Sequence, residues 1–130
     1  MEGTVLIADD DKSIRTVLTQ AFVRSGCKVK STGLTHTLSK WIEEGEGDIV
    51  LSDIMMPDGE VFDMLHHFSK LRPNLPIILM SAQNNVLTAI KANKLGAYEY
   101  FPKPFDLREV LSIANGALKN TQSYNSLVPD

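Results

Sequence analysis

Thr4-Val-Leu-Ile-Ala-Asp-Asp-Asp11 stands near the start of this 130-residue chain and joins a compact apolar run to three acidic residues. The apolar part has the length of a buried strand, which spans about four to eight residues. Apolar residues then recur at helical spacing from Ile14 to Phe22, and Gly26 stands where a helix would end. The stretch therefore predicts a strand, an acidic turn and a helix in succession.

The same pattern of a short apolar run followed by an amphipathic stretch returns along the rest of the chain. Continuous apolar strands that alternate with helices predict a parallel sheet covered by helices on both faces, with right-handed crossovers. Within the fourth helix, Leu87, Ile90 and Leu95 suit either the core or an interface, and Ile90 is expected to face the core. Predicted strands lie at residues 4–8, 28–31, 49–52, 77–80 and 98–101, and predicted helices at about 14–22, 34–42, 61–68, 85–95 and 107–118.

Polar residues collect where the predicted strands end. Asp9 and Asp10 follow the first strand, and Asp53 follows the third. Ser81 follows the fourth strand and Lys103 the fifth. The carboxyl ends of parallel strands lie along one edge of the sheet, which is where such sheets place function. We therefore expect these side chains to share one site.

The acidic residues of this edge fit either of two roles, binding of a divalent cation or simple solvation in a loop. Asp11 is expected to cap the first helix. Asp9, Asp10 and Asp53 would repel one another if they came together without a cation. Carboxylate oxygens suit Mg2+, which uses few protein ligands and keeps several waters. The common position of these three residues at strand ends favours Mg2+.

Asp53 has neighbours in the predicted fold that suit phosphoryl transfer. A carboxylate can attack phosphorus and form an aspartyl phosphate, a reaction that needs cations and hydrogen-bond donors around the phosphoryl oxygens. Lys103 would supply a mobile positive charge and Ser81 a hydroxyl donor. Each residue alone is more typical of a solvated lysine or a strand-end serine. Their joint placement at successive strand ends is what favours a phosphoryl site.

Composition places the chain among soluble globular domains, with 43% hydrophobic and 22% charged residues. Its length suits one domain with a core. The net charge of −3 argues against a nucleic-acid surface, and no apolar run is long enough to span a membrane. Cys27 is the only cysteine, so an internal disulfide is not possible. Without a signal-peptide pattern, a cytoplasmic location is expected.

Four motifs together resemble the response-regulator receiver domain of two-component signalling. The resemblance covers roughly residues 4–118, in the right order and spacing. It implies a flavodoxin-like (βα)5 fold, a doubly wound five-stranded parallel sheet. The motifs are Val-Leu-Ile-Ala-Asp-Asp-Asp-Lys-Ser-Ile-Arg at 5–15, Leu-Ser-Asp-Ile-Met-Met-Pro at 51–57, Ile-Leu-Met-Ser-Ala at 78–82 and Gly-Ala-Tyr-Glu-Tyr-Phe-Pro-Lys-Pro-Phe at 96–105.

The receiver resemblance implies a role for each polar residue of the edge. Asp53 is the phosphoacceptor by this resemblance, Lys103 contacts the phosphoryl group, and Ser81 is the switch hydroxyl. Tyr100 is the aromatic residue that changes rotamer with Ser81, and the peptide before Pro104 is expected to be cis. The implied Mg2+ ligands are Asp53 and Asp10 directly, Asp9 through water, and the Met55 backbone carbonyl.

The sequences of Ser81-Ala-Gln-Asn and of residues 96–107 are similar to those of the receivers of nitrogen-regulation (NtrC-type) sigma-54 activators. Such receivers precede an ATPase and a DNA-binding domain, and no Gly-x-x-x-x-Gly-Lys-Ser/Thr loop occurs here. The resemblance therefore implies a receiver domain at 1–120 and, at 121–130, a polar tail or the start of a linker to absent output domains.

The same resemblance implies a switch rather than an enzyme, although the domain would assist its own phosphorylation and dephosphorylation. A sensor histidine kinase would supply the phosphoryl group. Phosphorylation would change the surface of the fourth helix, fifth strand and fifth helix, and so control dimer formation and a transcription-activator output. Direct contact of this domain with nucleic acid or a membrane is not expected.

The segment after Asp53 departs from the family pattern. The family often has Met-Pro-x-x-Asp-Gly, whereas here Asp58-Gly59 comes earlier and Glu60-Val61 takes the Asp-Gly place. The acceptor chemistry is unaffected, but the family pattern no longer fixes the turn or the start of the third helix. Ser81 replaces the common threonine and keeps the hydroxyl.

Other functions remain open from the sequence alone. A small phosphatase with Asp53 as nucleophile would want a second aspartate two residues on, where Met55 stands. A flavin or nucleotide module would want a glycine-rich phosphate loop after the first strand, and none follows. A stand-alone signalling adaptor without an output domain fits the same residues as an isolated receiver.

Overall fold

A computed structural model describes residues 1–83 and 85–127, the segment 121–127 in its backbone only. Strands and helices alternate along the chain, as the sequence predicts. The strands are β1 (Thr4–Ala8), β2 (Lys28–Thr32), β3 (Ile49–Asp53), β4 (Met55–Met56), β5 (Gly59–Glu60), β6 (Ile77–Ser81) and β7 (Glu99–Pro102). The helices are α1 (Lys12–Arg24), α2 (Thr35–Glu43), α3 (Phe62–Leu71), α4 (Val86–Lys94) and α5 (Leu107–Leu127).

Five of the strands form one sheet in the order β2-β1-β3-β6-β7, and every neighbouring pair is parallel. Helices pack on both faces, so the predicted flavodoxin-like, doubly wound five-stranded parallel sheet is confirmed. Asp53, the last residue of β3, pairs with Met80 of β6. Ser81, the last residue of β6, pairs with Pro102 of β7. Neighbouring strands therefore end together at the edge where the polar residues lie.

Two hydrophobic cores lie on opposite faces of the sheet, because successive strand residues point to opposite sides. Val5 and Ile7 of β1 belong to the core beneath α1 and α5. Leu6 and Ala8 belong to the core beneath α2, α3 and α4. Burial on both faces explains why β1, β3 and β6 are continuous apolar runs rather than alternating ones. These buried strands support the polar edge from below.

Helix α1 begins and ends close to where the sequence predicts. The Asp11 carboxylate accepts a hydrogen bond from the Ser13 backbone N–H at 2.8 Å, as expected of an N-cap. Gly26 follows the helix with a φ of +100°, which glycine adopts at little cost. This hydrogen bond confirms the prediction that Asp11 caps the first helix.

A short hairpin formed by β4 and β5 lies between β3 and α3 and was not predicted. Met55 pairs with Glu60 across it. Gly59 has a φ of +145°, so the early Asp58-Gly59 pair supplies the residue that this turn requires. Strands of two residues are too short for an alternating pattern to reveal them. The hairpin delays the start of α3 to Phe62, one position after the predicted residue 61.

Helix α4 is oriented differently from the prediction. Ile90, expected in the core, is 45% exposed, and Leu87 is 77% exposed. The helix instead buries the smaller side chains of Thr88 and Ala92. The ring of Tyr100 packs against the same core as Ala92. The prediction for Ile90 was therefore wrong, and α4 presents apolar side chains to solvent.

Helix α5 extends further than the sequence pattern indicates. The last buried side chain among those described is Leu118, but the backbone stays helical to Leu127. The predicted tail or linker, 121–130, is thus helical up to residue 127, while residues 128–130 lie outside the described part. Its role as a linker stays a prediction. None of the helices in the described residues combines the length and the apolar character needed to cross a membrane.

Candidate functional site

The structure brings together the three aspartates of the polar edge. Side-chain oxygens of Asp9, Asp10 and Asp53 all lie within 4.8 Å of one another, and we call these three residues the acidic cluster. Asp9 and Asp53 are buried, whereas Asp10 is exposed. The cluster forms because β1 and β3 are neighbours in the sheet and end at the same edge.

Lys103 places its ammonium group between two of these carboxylates. Its Nζ atom lies 2.7 Å from Asp9 Oδ2 and 3.1 Å from Asp53 Oδ2. Its backbone N–H donates to the Ser81 carbonyl oxygen at 2.8 Å, which joins the loop after β7 to the end of β6. The Lys103–Pro104 peptide is cis, as expected. Only 15% of the Lys103 side chain is exposed, so it is not a solvated surface lysine.

One lysine does not fully compensate the negative charge of this site. Burial raises the pKa of Asp53, and the charge of Asp9 raises it further, while the hydrogen bond and charge of Lys103 oppose both effects. Burial by itself would lower the pKa of Lys103, but its hydrogen bonds to Asp9 and Asp53, together with the negative charges of these two carboxylates, outweigh burial and raise that pKa overall. Lys103 therefore stays protonated at neutral pH beside carboxylates that repel one another.

Asp53→Asn is expected to make the folded chain more stable at pH 7. The raised pKa means that the ionised Asp53 carries a free-energy penalty in the folded state that the unfolded state lacks. The penalty is absent below the ordinary carboxyl pKa of about 3.9, because both states then bind the proton. The stabilisation by Asp53→Asn should therefore be largest at neutral pH and shrink as the pH falls.

Urea denaturation of both proteins at pH 7 and near pH 4, with EDTA present, measures this difference. Asp63→Asn is the matched control, because Asp63 is an exposed aspartate in the first turn of α3. A lower urea midpoint for Asp53→Asn than for wild type at pH 7 would contradict the charge argument.

The donor atoms of the acidic cluster suit a hard divalent cation. Asp9 Oδ1 accepts a hydrogen bond from the Asp11 backbone N–H at 2.9 Å, and Asp9 Oδ2 accepts one from Lys103. Within the described part of the chain, no residue donates a hydrogen bond to the side chain of Asp10. Oxygen ligands of this kind, one of them facing solvent, match the preference of Mg2+ for carboxylates and retained waters. The residues present therefore fit Mg2+.

Met55 lies beside the acidic cluster at the start of the hairpin. Its side chain is 53% exposed, so its contribution to the site comes from the backbone. The backbone N–H of Met55 acts to lower the pKa of Asp53, against the larger effect of burial. The proposed role of the Met55 carbonyl as a metal ligand stays a prediction.

Ser81 and Tyr100 are connected through the backbone of Gln83. The Ser81 Oγ atom is buried and accepts a hydrogen bond from the Gln83 N–H at 3.0 Å. The Tyr100 hydroxyl donates a hydrogen bond to the Gln83 carbonyl oxygen. The two residues expected to move together thus share one partner, which we call the Gln83 bridge. The half-buried Tyr100 ring already lies against the core beneath α4.

Arg15 is a further residue of the site that the sequence analysis left without a role. Its Nη1 atom donates to the Asp9 carbonyl oxygen at 2.6 Å. A Cβ at Gly33 would come within 3.1 Å of the same atom, so the glycine gives the guanidinium its space. The signal in the sequence was a basic residue close to the start of a helix that begins beside the acidic cluster. Arg15 holds the backbone of the loop that carries Asp9 and Asp10.

A parallel sheet with aspartates, a half-buried lysine and a buried hydroxyl at its carboxyl edge is typical of the receiver class of signalling domain. The family model of the response regulator receiver domain matches residues 5–115, and the chain belongs to this family. Its members are phosphoacceptor switches of two-component systems rather than metabolic enzymes, and receiver domains generally bind Mg2+ in an acidic pocket.

Curated relatives place the chain near one group of regulators within this family. It is 54% identical over 116 residues to the DNA-binding transcriptional regulator NtrC of Bradyrhizobium sp. (strain RP501 Parasponia), covering 89% of this chain and 24% of the relative. It is 50% identical over 128 residues to NtrC of Rhizobium meliloti (strain 1021), covering 98% of this chain and 26% of the relative. The chain thus spans about a quarter of the length of these relatives.

Solved structures of receiver domains share this fold. The beryllofluoride-activated NtrC4 receiver domain dimer superposes with a TM-score of 0.84 at 28% identity, over 91% of this chain and 98% of that one. A CheY-like receiver domain protein from Methanospirillum hungatei JF-1 superposes with a TM-score of 0.87 at 25% identity, over 95% of this chain and 99% of that one.

Proposed function

We propose that this domain accepts a phosphoryl group on Asp53 and acts as a phosphorylation-controlled switch. The observation that carries the proposal is the position of Asp53 in the acidic cluster, with Lys103 Nζ at 3.1 Å. An oxygen of Asp53 forms a bond to phosphorus while the bond between phosphorus and the donor breaks. The proposed donor is a phosphohistidine of a sensor histidine kinase, whose imidazole leaves with the electron pair and takes a proton from solvent.

The residues around Asp53 would stabilise the charge of the transferring group. Asp10, Asp53 and the Met55 carbonyl would hold Mg2+ directly, and Asp9 would hold it through water. When bound, the ion supplies positive charge for the phosphoryl oxygens. Lys103 is already fixed by Asp9, so its ammonium group would meet a phosphoryl oxygen with little reorganisation. These groups would assist the domain's own phosphorylation and dephosphorylation.

The Gln83 bridge provides a route from the acceptor to the surface. Phosphorylation adds a charge of about −1.5 to −2 and strong acceptor oxygens. The Ser81 hydroxyl would turn to donate to one of these oxygens and release the Gln83 N–H. Because Tyr100 bonds to the carbonyl of Gln83, movement of this residue would change how the ring is held against the core beneath α4. The surface of α4, β7 and α5 would then repack.

That surface carries the proposed contacts with partners. Val86, Leu87 and Ile90 of α4 are exposed apolar residues, which suit a second copy of the chain. The related NtrC4 receiver domain is a dimer in its beryllofluoride-activated form. Because the relatives are DNA-binding transcriptional regulators, we further propose a cytoplasmic domain that controls a transcription-activator output in nitrogen regulation. A sensor histidine kinase would be its input.

Incubation of the chain with Mg2+ and acetyl phosphate is expected to add one phosphoryl group, because acetyl phosphate offers the same transferable group as the kinase. Prompt intact-mass measurement should show a single adduct. Replacement of Mg2+ by EDTA should prevent its formation, and inorganic phosphate in place of acetyl phosphate should give no adduct. Absence of the adduct, or equal formation in EDTA, would refute the proposed metal-assisted chemistry.

A further inference from the structure

We propose that Asp58 is a positioning residue for Mg2+. Its carboxylate fixes the hairpin to the first turn of α2, and this hairpin contains Met55. The inference rests on the proposed function, since it takes the Met55 carbonyl as a metal ligand. Asp58 lies in the segment where the chain departs from the family pattern, so that departure has a physical role.

The Asp58 carboxylate spans the beginning of α2. Its Oδ1 atom accepts a hydrogen bond from the Thr35 backbone N–H at 2.8 Å, and its Oδ2 atom accepts one from the His36 backbone N–H at 2.9 Å. The Thr35 hydroxyl donates in return to the Gly59 carbonyl oxygen at 3.3 Å. Leu34, at the N-cap position, makes no side-chain capping bond. The first N–H groups of α2 are therefore satisfied by the hairpin.

Charge also favours this contact. The hydrogen bonds from His36 and Thr35 hold the pKa of Asp58 below its ordinary value, so its ionised form is the one that the fold prefers. A carboxylate at a helix N-terminus interacts favourably with the helix dipole as well. Asp58 thus joins the hairpin to α2 through both of its oxygens at neutral pH.

The hairpin depends on such an anchor because its own ladder is minimal. β4 and β5 have two residues each, and isolated two-stranded hairpins are at best marginally stable in water. The buried Met56 side chain holds one strand in the core, and the Val61 backbone N–H closes the base on the Ile54 carbonyl oxygen at 2.8 Å. The turn at 57–59 is exposed, and Asp58 supplies its side-chain contact with the rest of the fold.

Movement of the turn would be passed to the metal site through Met55. Met55 pairs with Glu60 across the ladder and lies two residues after Asp53 in the chain. A carbonyl oxygen of the backbone cannot use side-chain torsions to recover a lost ligand position. Loss of the Asp58 anchor should therefore weaken Mg2+ binding while every carboxylate of the acidic cluster is retained.

Isothermal titration calorimetry of the 130-residue chain with MgCl2 tests the inference. Asp58→Ala removes both acceptor oxygens and is expected to raise the Kd for Mg2+ on the order of tenfold, the lower end of effects from losing groups that orient metal ligands. Asp58→Asn keeps one acceptor oxygen and should give an intermediate Kd.

Glu60→Gln is the matched control. It removes the same charge from the same hairpin, but the Glu60 side chain makes no hydrogen bond or ion pair with another residue in the described ranges. Its Kd for Mg2+ should equal that of wild type in moderate salt, which screens the lost charge. Equal weakening in Glu60→Gln and Asp58→Ala would overturn the inference, because charge rather than position would then be the cause.

Stability measurements separate positioning from simple helix capping. If Asp58→Ala unfolds at lower urea concentration but binds Mg2+ as tightly as wild type, Asp58 is only a cap and the inference is wrong. If Asp58→Ala does not fold by circular dichroism, Asp58→Asn decides the question by the same comparison. Absence of Mg2+ binding by the wild-type chain would refute the proposed function itself, which is a separate outcome.

Discussion

Asp53→Asn chains incubated with Mg2+ and acetyl phosphate are expected to take up no phosphoryl group. The asparagine amide lacks the anionic oxygen that attacks phosphorus in the proposed reaction. Asparagine has nearly the same size and can still accept a hydrogen bond from Lys103, so the packing of the polar edge should be preserved. Intact mass over a time course, with wild type in parallel, measures the effect as presence or absence of the adduct.

Asp9 is not expected to replace Asp53 as the acceptor. Both oxygens of Asp9 are already hydrogen bonded, one to the Asp11 N–H and one to Lys103. Asp63→Asn, which changes an exposed aspartate of α3, is the matched control and should be phosphorylated like wild type. An adduct on Asp53→Asn at the wild-type rate would place the acceptor elsewhere, and peptide mapping would then locate it.

Lys103→Gln is expected to slow phosphorylation about 100- to 1,000-fold, the usual cost of removing one preorganised donor from a charged transition state. The ammonium group is held 3.1 Å from Asp53 Oδ2, so it lies next to the oxygen atoms that gain charge during transfer. Glutamine can still donate a hydrogen bond but brings no positive charge. Initial rates of adduct formation at saturating Mg2+ and acetyl phosphate measure the effect.

Lys94→Gln provides the comparison for Lys103, because Lys94 is an exposed lysine in the last turn of α4. It removes the same charge from the chain and should leave the rate unchanged. Circular dichroism of both variants establishes that each is folded. A wild-type rate for folded Lys103→Gln would mean that Lys103 only neutralises Asp9 in the fold and takes no part in the transfer.

The sheet could be predicted from the sequence because its central strands are buried on both faces. Runs such as Val5 to Ala8 and Ile77 to Met80 indicate buried parallel strands when amphipathic stretches alternate with them. Helix α4 was harder, because Ile90 was expected in the core but is exposed, as is Leu87. Periodicity reveals an apolar face of a helix and does not reveal which face meets the sheet.

In the candidate site, the positions of the main side chains could be predicted from the sequence, whereas contacts to the backbone could not. Asp9, Asp53 and Lys103 could be placed together because the carboxyl ends of neighbouring parallel strands meet at one edge. The contacts that the sequence did not reveal, those of Arg15 and Gln83, each involve a backbone group. Every residue has those groups, so residue type carries no signal of their use.

Because the Gln83 bridge would couple Asp53 to Tyr100, binding of a partner near Tyr100 would also affect the phosphorylation of Asp53. In the proposed switch, the phosphoryl group favours one arrangement of Tyr100 because it changes the hydrogen bond of the Gln83 backbone N–H. Linkage is reciprocal, so a protein that binds this arrangement more tightly favours phosphorylated Asp53 by the same free energy. Coupling energies of this kind are about 1–3 kcal/mol, which corresponds to roughly 5- to 150-fold in an equilibrium. A downstream partner would therefore act as an effector of phosphorylation as well as its target.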